Sequence, residues 1–301
     1  MTEDSGFFSE PDRMAPETGI MELIHSSGSG WSEIYRISIN GQFKVLKVLK
    51  KEYRGRTLYE SILRKEYDIS SRLKHQNIRE VFDYYRHPEL GSAIEMEWIN
   101  GCTLSELTAG GRLDRKLAMR LSDQLCDAVS YLHSHQIVHR DIKPDNILVT
   151  FNGKNLKLID FGLSDADSWV TLKGSCGTPA FAAPETLKGQ ASGCSSDIWS
   201  LGKVTGILLS GKRRQIHKCT AYDPGQRYAD ASQFKADLHK KSQWGTILAL
   251  IMVLAIGTAG FICFKKPVPT IKEEEQNKPI DNPAIIDELF RQATQMIESQ
   301  E

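Results

Sequence analysis

Neither sign of charge prevails in this chain of 301 residues: 38 lysines and arginines face 38 aspartates and glutamates. That balance leaves no global field to draw in nucleic acid or to hold the protein on a membrane by electrostatics alone. Ordered cysteine spacing is missing too. Cys102, Cys126, Cys176, Cys194, Cys219 and Cys263 form no C-x-x-C pair and no His/Cys cluster, which fits reduced thiols in a cytosolic compartment rather than a disulfide frame or a zinc site. Residues 1–19 are polar and acidic with two prolines and no apolar core, so they read as an unstructured segment without a secretory signal. One stretch breaks this soluble pattern. Residues 246–264 carry no charge, close to the roughly 20 residues needed to cross a bilayer. Trp244, Lys240 and Lys241 precede the run and Lys265 and Lys266 follow it, as interfacial anchors would. A helix buried in a globular core would show a polar face, so 245–264 reads as a single transmembrane helix.

What the chain does contain is a dense polar motif. Val138-His139-Arg140-Asp141-Ile142-Lys143-Pro144-Asp145-Asn146-Ile147-Leu148 is followed by Leu158-Ile159-Asp160-Phe161-Gly162. A carboxylate, an ammonium, a side-chain amide and a second carboxylate suit phosphoryl transfer, where catalysis consists mainly of aligning two oxygens and neutralising charge. The apolar runs 147–149 and 156–159 read as paired strands that hold the two functional turns.

These motifs resemble the catalytic loop and metal-binding turn of protein kinases. The resemblance implies that Asp141 accepts or orients the proton of the attacking hydroxyl, while Asn146 and Asp160 hold Mg2+ on the phosphates of ATP. Lys143 is the residue that serine/threonine kinases carry beside the transferred phosphate. Upstream, Gly28 and Gly30 in Ser26-Ser27-Gly28-Ser29-Gly30-Trp31-Ser32-Glu33 resemble the phosphate-covering glycine loop. One alignment puts Glu33 at the third glycine position, and a shift by one puts serines at all three. Val45-Leu46-Lys47 resembles the strand end that carries the ATP-binding lysine, with Lys50 as the competing candidate. A helix over 58–73 supplies Glu66 as that lysine's partner, with Ile62, Tyr67, Ile69 and Leu73 as its apolar residues. Residues 94–101 resemble the last strand and hinge of the small lobe. Met96 would back the adenine pocket, and the C=O of Glu97 and N–H of Ile99 would meet the purine edge. Leu117, Leu121, Leu125, Val129 and Leu132 recur near helical period and mark a long helix beneath the catalytic loop.

Beyond Asp160, the resemblance implies an activation segment closed by Ala183-Pro184-Glu185, with Thr171 and Ser175 as candidate phosphosites facing Arg140. Gly177-Thr178-Pro179 again favours the serine/threonine class. Asp197 would brace the catalytic loop, and Glu185 would pair with Arg227. The chain departs from larger kinases between Lys212 and Cys219, where six residues stand in place of a longer insertion. Residues 265–279 read as a linker. Ile286, Leu289, Phe290, Ala293 and Ile297 form an apolar stripe suited to a partner, a second copy or the bilayer surface.

The expected fold class is α+β, a two-lobed protein-kinase fold with a β-rich N-lobe (20–97) and a helical C-lobe (100–241), followed by one transmembrane helix and an extracytoplasmic tail (265–301). The expected function is a membrane-anchored serine/threonine protein kinase of the eukaryotic-like bacterial type. Its catalytic domain lies on the cytoplasmic side because it needs ATP and Mg2+. Protein hydroxyls are its substrates, a homodimer is one arrangement open to it, and nucleic acid is not a partner. Two other classes stay open: a pseudokinase scaffold, favoured by the irregular glycine loop, and phosphorylation of a small molecule, favoured by the shortened C-lobe.

Overall fold

The computed structural model describes residues 20–26, 30–161, 179–190 and 192–240, together with Met252, Ala284, Asp287, Glu288, Arg291 and Gln292. The chain divides into a unit over residues 1–240 and a second over 241–301.

The first unit opens with strands β1 (Met21–Ser26), β2 (Ser32–Ile39) and β3 (Gln42–Leu49), then helix α1 (Thr57–Ser70), β4 (Val81–His87) and β5 (Gly91–Glu97). The strands form one antiparallel sheet in the order β1-β2-β3-β5-β4. Asn40 and Gly41 turn β2 into β3 with φ of 50° and 77°, the left-handed pair that a two-residue hairpin loop requires. Side chains alternate along β3. Val45 and Leu49 face Ile62 and Leu63 of α1, whereas Leu46 and Val48 join Ile37, Tyr85 and Ala93 on the opposite face. Lys47 therefore shares the side of Val45 and Leu49 and is aimed at α1.

The helical part begins with β6 (Gly101–Thr103), α2 (Leu104–Ala109) and α3 (Arg115–Ser134). Strands β7 (Ile147–Thr150) and β8 (Leu156–Leu158) follow, then α4 (Pro184–Leu187), α5 (Cys194–Leu208), α6 (Arg213–Cys219) and α7 (Ala231–His239). Thr103 and Glu106 cap α2 reciprocally, and Asp114 accepts from the N–H groups of Lys116 and Leu117 to start α3; such caps satisfy donors the helix itself cannot. On α3, Leu121, Leu125, Val129 and Leu132 are fully buried as expected, while Leu117 is half-buried. They pack with Ile198, Leu201 and Val204 of α5 and Phe234 and Leu238 of α7.

One boundary differs from the sequence reading. Helix α1 stops at Ser70, and its buried residues are Ile62, Leu63, Glu66 and Ser70. Leu73 lies beyond the helix and, with Ile78, belongs to the core of the helical lobe. The chain leaves the helix there because the N–H of Lys74 is taken by the Tyr131 hydroxyl at 3.0 Å. Strand β5 ends at Glu97, leaving Trp98 to Asn100 as the link to the helical lobe. The short stretch after Lys212 forms helix α6. It fits because Gly202 and Gly206 present a flat strip of α5: a Cβ on Gly202 would lie 2.3 Å from that of Cys219.

In the second unit, Met252 is helical and exposed, as are Ala284, Asp287, Glu288, Arg291 and Gln292. The last five recur at helical spacing on the polar side of the stripe identified from the sequence. No helix among the described residues is long and apolar enough to cross a membrane. The expected span over 245–264 falls, apart from Met252, outside the described residues, as do the apolar stripe itself, Gly28, Thr171 and Ser175.

Candidate active site

Four chain segments meet where the sheet faces the helical lobe. Strand β3 contributes Lys47, which is 5% exposed. Its Nζ donates to Glu66 Oε1 of α1 at 2.7 Å and to Asp160 Oδ1 at 2.7 Å. Burial pulls the Lys47 ammonium towards neutrality, but Asp160 and then Glu66 outweigh it and hold the group above its ordinary value. Lys47, not Lys50, is thus the lysine at the junction. The Trp31 ring lies 5.4 Å from the same ammonium and packs against Tyr59 of α1, so the residue after Gly30 roofs the pair.

The segment between α3 and β7 supplies the second cluster. Lys143 Nζ donates to Asp141 Oδ2 at 2.7 Å, and Asn146 Nδ2 donates to the same oxygen at 2.7 Å and to the Asp141 C=O at 2.9 Å. Burial pushes the Asp141 carboxyl up, Lys143 works against that, and the charge of Asp160 adds to it. The N–H of Ile159 donates to the Asn146 C=O at 3.0 Å, which brings Asn146 beside the turn that carries Asp160. Every charged residue expected to act on a phosphoryl group is therefore gathered at one cleft.

This arrangement is held against backbone strain. Arg140 and Asp160 have φ of 67° and 69°, a region that non-glycine residues occupy at a cost of about 1–3 kcal/mol each. Asp197 at the start of α5 offsets the first: its carboxylate accepts from the N–H of His139 at 2.8 Å and of Arg140 at 2.9 Å, and from His133 Nε2 at 2.9 Å. His139 is fully buried. Its Nδ1 accepts from the N–H of Asp141 at 3.3 Å, so Nε2 carries the proton and donates to the Ile159 C=O at 3.3 Å. The imidazole thereby stitches the Asp141 turn to the Asp160 turn, with the Phe161 ring 5.1 Å away.

Sequence reasoning missed a further set of contacts. Glu97 Oε2 accepts from Lys157 Nζ of β8 at 2.8 Å and from the N–H of Glu80 at 3.1 Å. Leu158 bonds through its N–H to the Asn77 C=O at 2.8 Å and through its C=O to the N–H of Arg79 at 3.0 Å. The link between lobes and the strand leading to Asp160 are therefore tied to one loop. Arg79 also puts a buried guanidinium behind the cleft; burial lowers it to about 10 against the charges of Asp160, Glu97 and Glu66. No pattern in the sequence marks these pairs, because they join residues far apart in the chain. Met96 is buried in the core shared by the sheet and α1, and Ile99 is buried in the link. Gly30 opens the bend into β2.

The oxygen set fits a small hard cation. Asn146 spends its amide nitrogen on Asp141, leaving Oδ1 as its ligating atom, and the exposed Asp160 carboxylate offers the second. Two protein oxygens completed by water and phosphate are what Mg2+ prefers over an all-protein cage.

The ion pair that closes the helical lobe is formed as the sequence implied. Arg227 Nη1 and Nη2 donate to Glu185 Oε1 and Oε2 at 2.7 and 2.8 Å, and Ser196 Oγ donates to Oε1 at 2.8 Å.

Residues 27–243 match the protein kinase domain family. Among curated relatives, rat calcium/calmodulin-dependent protein kinase type IV is 35% identical over 245 residues, covering 75% of this chain and 50% of the relative. Serine/threonine-protein kinase PrkC of Bacillus subtilis is 30% identical over 266 residues, covering 75% of this chain and 40% of the relative. The chain spans about half the length, or less, of these relatives. Among solved structures, the kinase domain of Mycobacterium tuberculosis PknI aligns with a TM-score of 0.56 at 19% identity, covering 71% of this chain and 92% of that one; at that identity the likeness speaks to the fold.

Proposed function

The chain belongs to the protein kinase domain family, and from that premise we propose that it is a serine/threonine protein kinase that transfers the γ-phosphoryl group of ATP to protein hydroxyls. The observation that carries this reading is the double engagement of Lys47 by Glu66 and Asp160, at 2.7 Å each, beside the Asp141, Lys143 and Asn146 cluster. Bound Mg2+ would neutralise charge on the phosphates between Asn146 and Asp160. Lys47 then holds the phosphates while Glu66 holds Lys47. Asp141 takes the hydroxyl proton at Oδ1, the oxygen that Lys143 and Asn146 leave open by bonding to Oδ2, and Lys143 sits where the transferred group passes.

The anchor and the orientation belong to the same proposal. The uncharged run 246–264 and its flanking lysines support a single-pass anchor of the kind the sequence suggests for a eukaryotic-like bacterial kinase. The need for ATP puts the catalytic unit in the cytoplasm. Thr171 and Ser175 are proposed as autophosphorylation sites, with Arg140 as their partner.

Incubating the purified chain with labelled ATP and Mg2+, beside Asp160→Asn, tests the catalytic reading. Label on serine or threonine from the unmodified chain alone is the expected outcome. Equal label from both proteins would assign the activity to a contaminant, and none from either would leave a scaffold.

A further inference from the structure

Helix α6 turns a run of basic side chains outward, and its two arginines make no ion pair with a described residue. From Ile198 to Tyr222 the chain contains no aspartate or glutamate, while Lys212, Arg213, Arg214 and Lys218 gather on α6 and its first flanking residue. Arg213, Arg214, His217 and Lys218 are all exposed. They stand at i and i+4 in two adjacent rows, and so share one face of the helix. The other face is spent on packing: Ile216 meets the Gly206 position of α5, and Cys219 meets Gly202.

Local energetics does not account for the outward face. His217 and Lys218 lie in the last turn, where a cation suits the helix dipole, but Arg213 and Arg214 lie in the first turn, where it opposes them. That first turn holds no acidic residue and no side-chain cap. Arg213, Arg214 and Lys218 form no ion pair with a described residue; Lys218 Nζ instead lies 4.2 Å over the Tyr228 ring, which leaves the two arginines without a local role. Among the described residues Asp237 feels the charge of Arg214, and it is already engaged by the Tyr228 hydroxyl at 2.6 Å and by Lys240 at 3.1 Å. A ridge of cations that weakens its own helix start is explained by something outside the domain.

Connectivity indicates what that is. Helix α6 rests on α7, with Gln215 Nε2 donating to the Asp237 C=O at 3.3 Å. Helix α7 ends at His239, and the uncharged run begins a few residues later at Thr246. The ridge thus belongs to the part of the domain that the chain leaves towards the proposed anchor. The cytoplasmic leaflet is rich in anionic lipid and attracts basic segments held near it.

We propose that the outer face of α6, through Arg213 and Arg214, docks on anionic lipid headgroups of the membrane in which the chain is anchored. This rests on the single-pass reading given above. Docking would hold the catalytic cleft at a fixed attitude to the bilayer and restrict it to substrates within reach of the surface.

The test uses the full chain reconstituted into vesicles of phosphatidylcholine alone or with phosphatidylserine. Retention after an alkaline wash, in both lipids, reads the anchor independently of headgroup. Hydrogen exchange over 213–219 reads the docking. The expected result is exchange slowed about fivefold or more by phosphatidylserine. The effect should be lost in high salt and in the double variant Arg213→Gln, Arg214→Gln, which keeps the packing face and the Lys218 contact with Tyr228 and should melt like the parent. An anchored chain whose α6 exchanges alike in both lipids overturns the docking and leaves the anchor standing. A chain washed from both vesicles overturns the anchor and the docking with it. Slowing by soluble polyglutamate but not by phosphatidylserine overturns the lipid in favour of an acidic protein segment.

Discussion

Lys47 is held by two carboxylates, and the two have different fates once nucleotide binds. Glu66 is 4% exposed and Asp160 is open to solvent, so in the proposed reaction Asp160 meets the cation while Glu66 keeps the ammonium in place. In the proposed reaction Glu66 is therefore a positioning residue rather than a reacting one. Replacing it with alanine leaves Lys47 to fall back on Asp160, where it competes with the metal. The expected outcome is a loss of about 100-fold in kcat/KM, read by steady-state kinetics, with thermal melting close to the parent. Undiminished kcat/KM would remove Glu66 from the mechanism. At this scale the grouping was readable from the chain, since the motif spacing called for Asp141, Lys143, Asn146 and Asp160 at one site, and they meet there. What the chain could not decide was Lys47 against Lys50. That choice is made by strand parity, which puts Lys47 on the α1 side with Val45 and Leu49.

Among the elements, α1 and α6 show where pattern reading meets its limit. On α1 the inward face includes Glu66 and Ser70, two polar positions. A search for an apolar stripe therefore runs past the helix end to Leu73. Ser70 is accommodated because its hydroxyl donates to the Glu66 C=O at 2.6 Å, satisfying the buried group locally. Helix α6 is short enough to pass for a loop; its existence depends on the glycines of α5 beneath it, a tertiary condition that local sequence does not announce. Gly202→Ala tests that dependence. A methyl group set 2.3 Å from the Cys219 Cβ forces the helices apart, at a cost of about 1–3 kcal/mol. Denaturant titration should show that loss; unchanged stability would mean α6 can move away freely.

Across the whole first unit, long-range ties decide the architecture. Glu185 and Arg227 lie 42 residues apart and meet in a buried bidentate pair. Burial disfavours the Glu185 carboxylate, yet the Arg227 guanidinium, the local backbone and Ser196 outweigh it and hold the group below its ordinary value of 4.5. A carboxyl lowered in the folded state binds fewer protons there than when unfolded, so stability rises with pH through this window. The contribution is complete above 4.5 and is lost as pH falls through the lower folded value. Glu185→Gln should cost about 3–5 kcal/mol at neutral pH, because Arg227 is left buried and unpaired. Urea titrations of parent and variant should converge on acidification below 4.5; a gap independent of pH would deny the pair its ionic character. This tie, and the brace of Asp197 on the catalytic loop, were legible through resemblance. The Glu97 link to Lys157 was not, since it depends on how the inter-lobe connection and β8 come to lie side by side.

The central claim is that Asp141, fixed by Lys143 and Asn146, receives the proton of the attacking hydroxyl while other residues bind the nucleotide. Single-turnover transfer from Mg-ATP to a serine peptide by Asp141→Asn, with nucleotide affinity measured in parallel, tests it most directly. The expected result is a chemical step slowed by about 100- to 10,000-fold at nearly unchanged ATP affinity. Transfer at the parental rate would contradict the account.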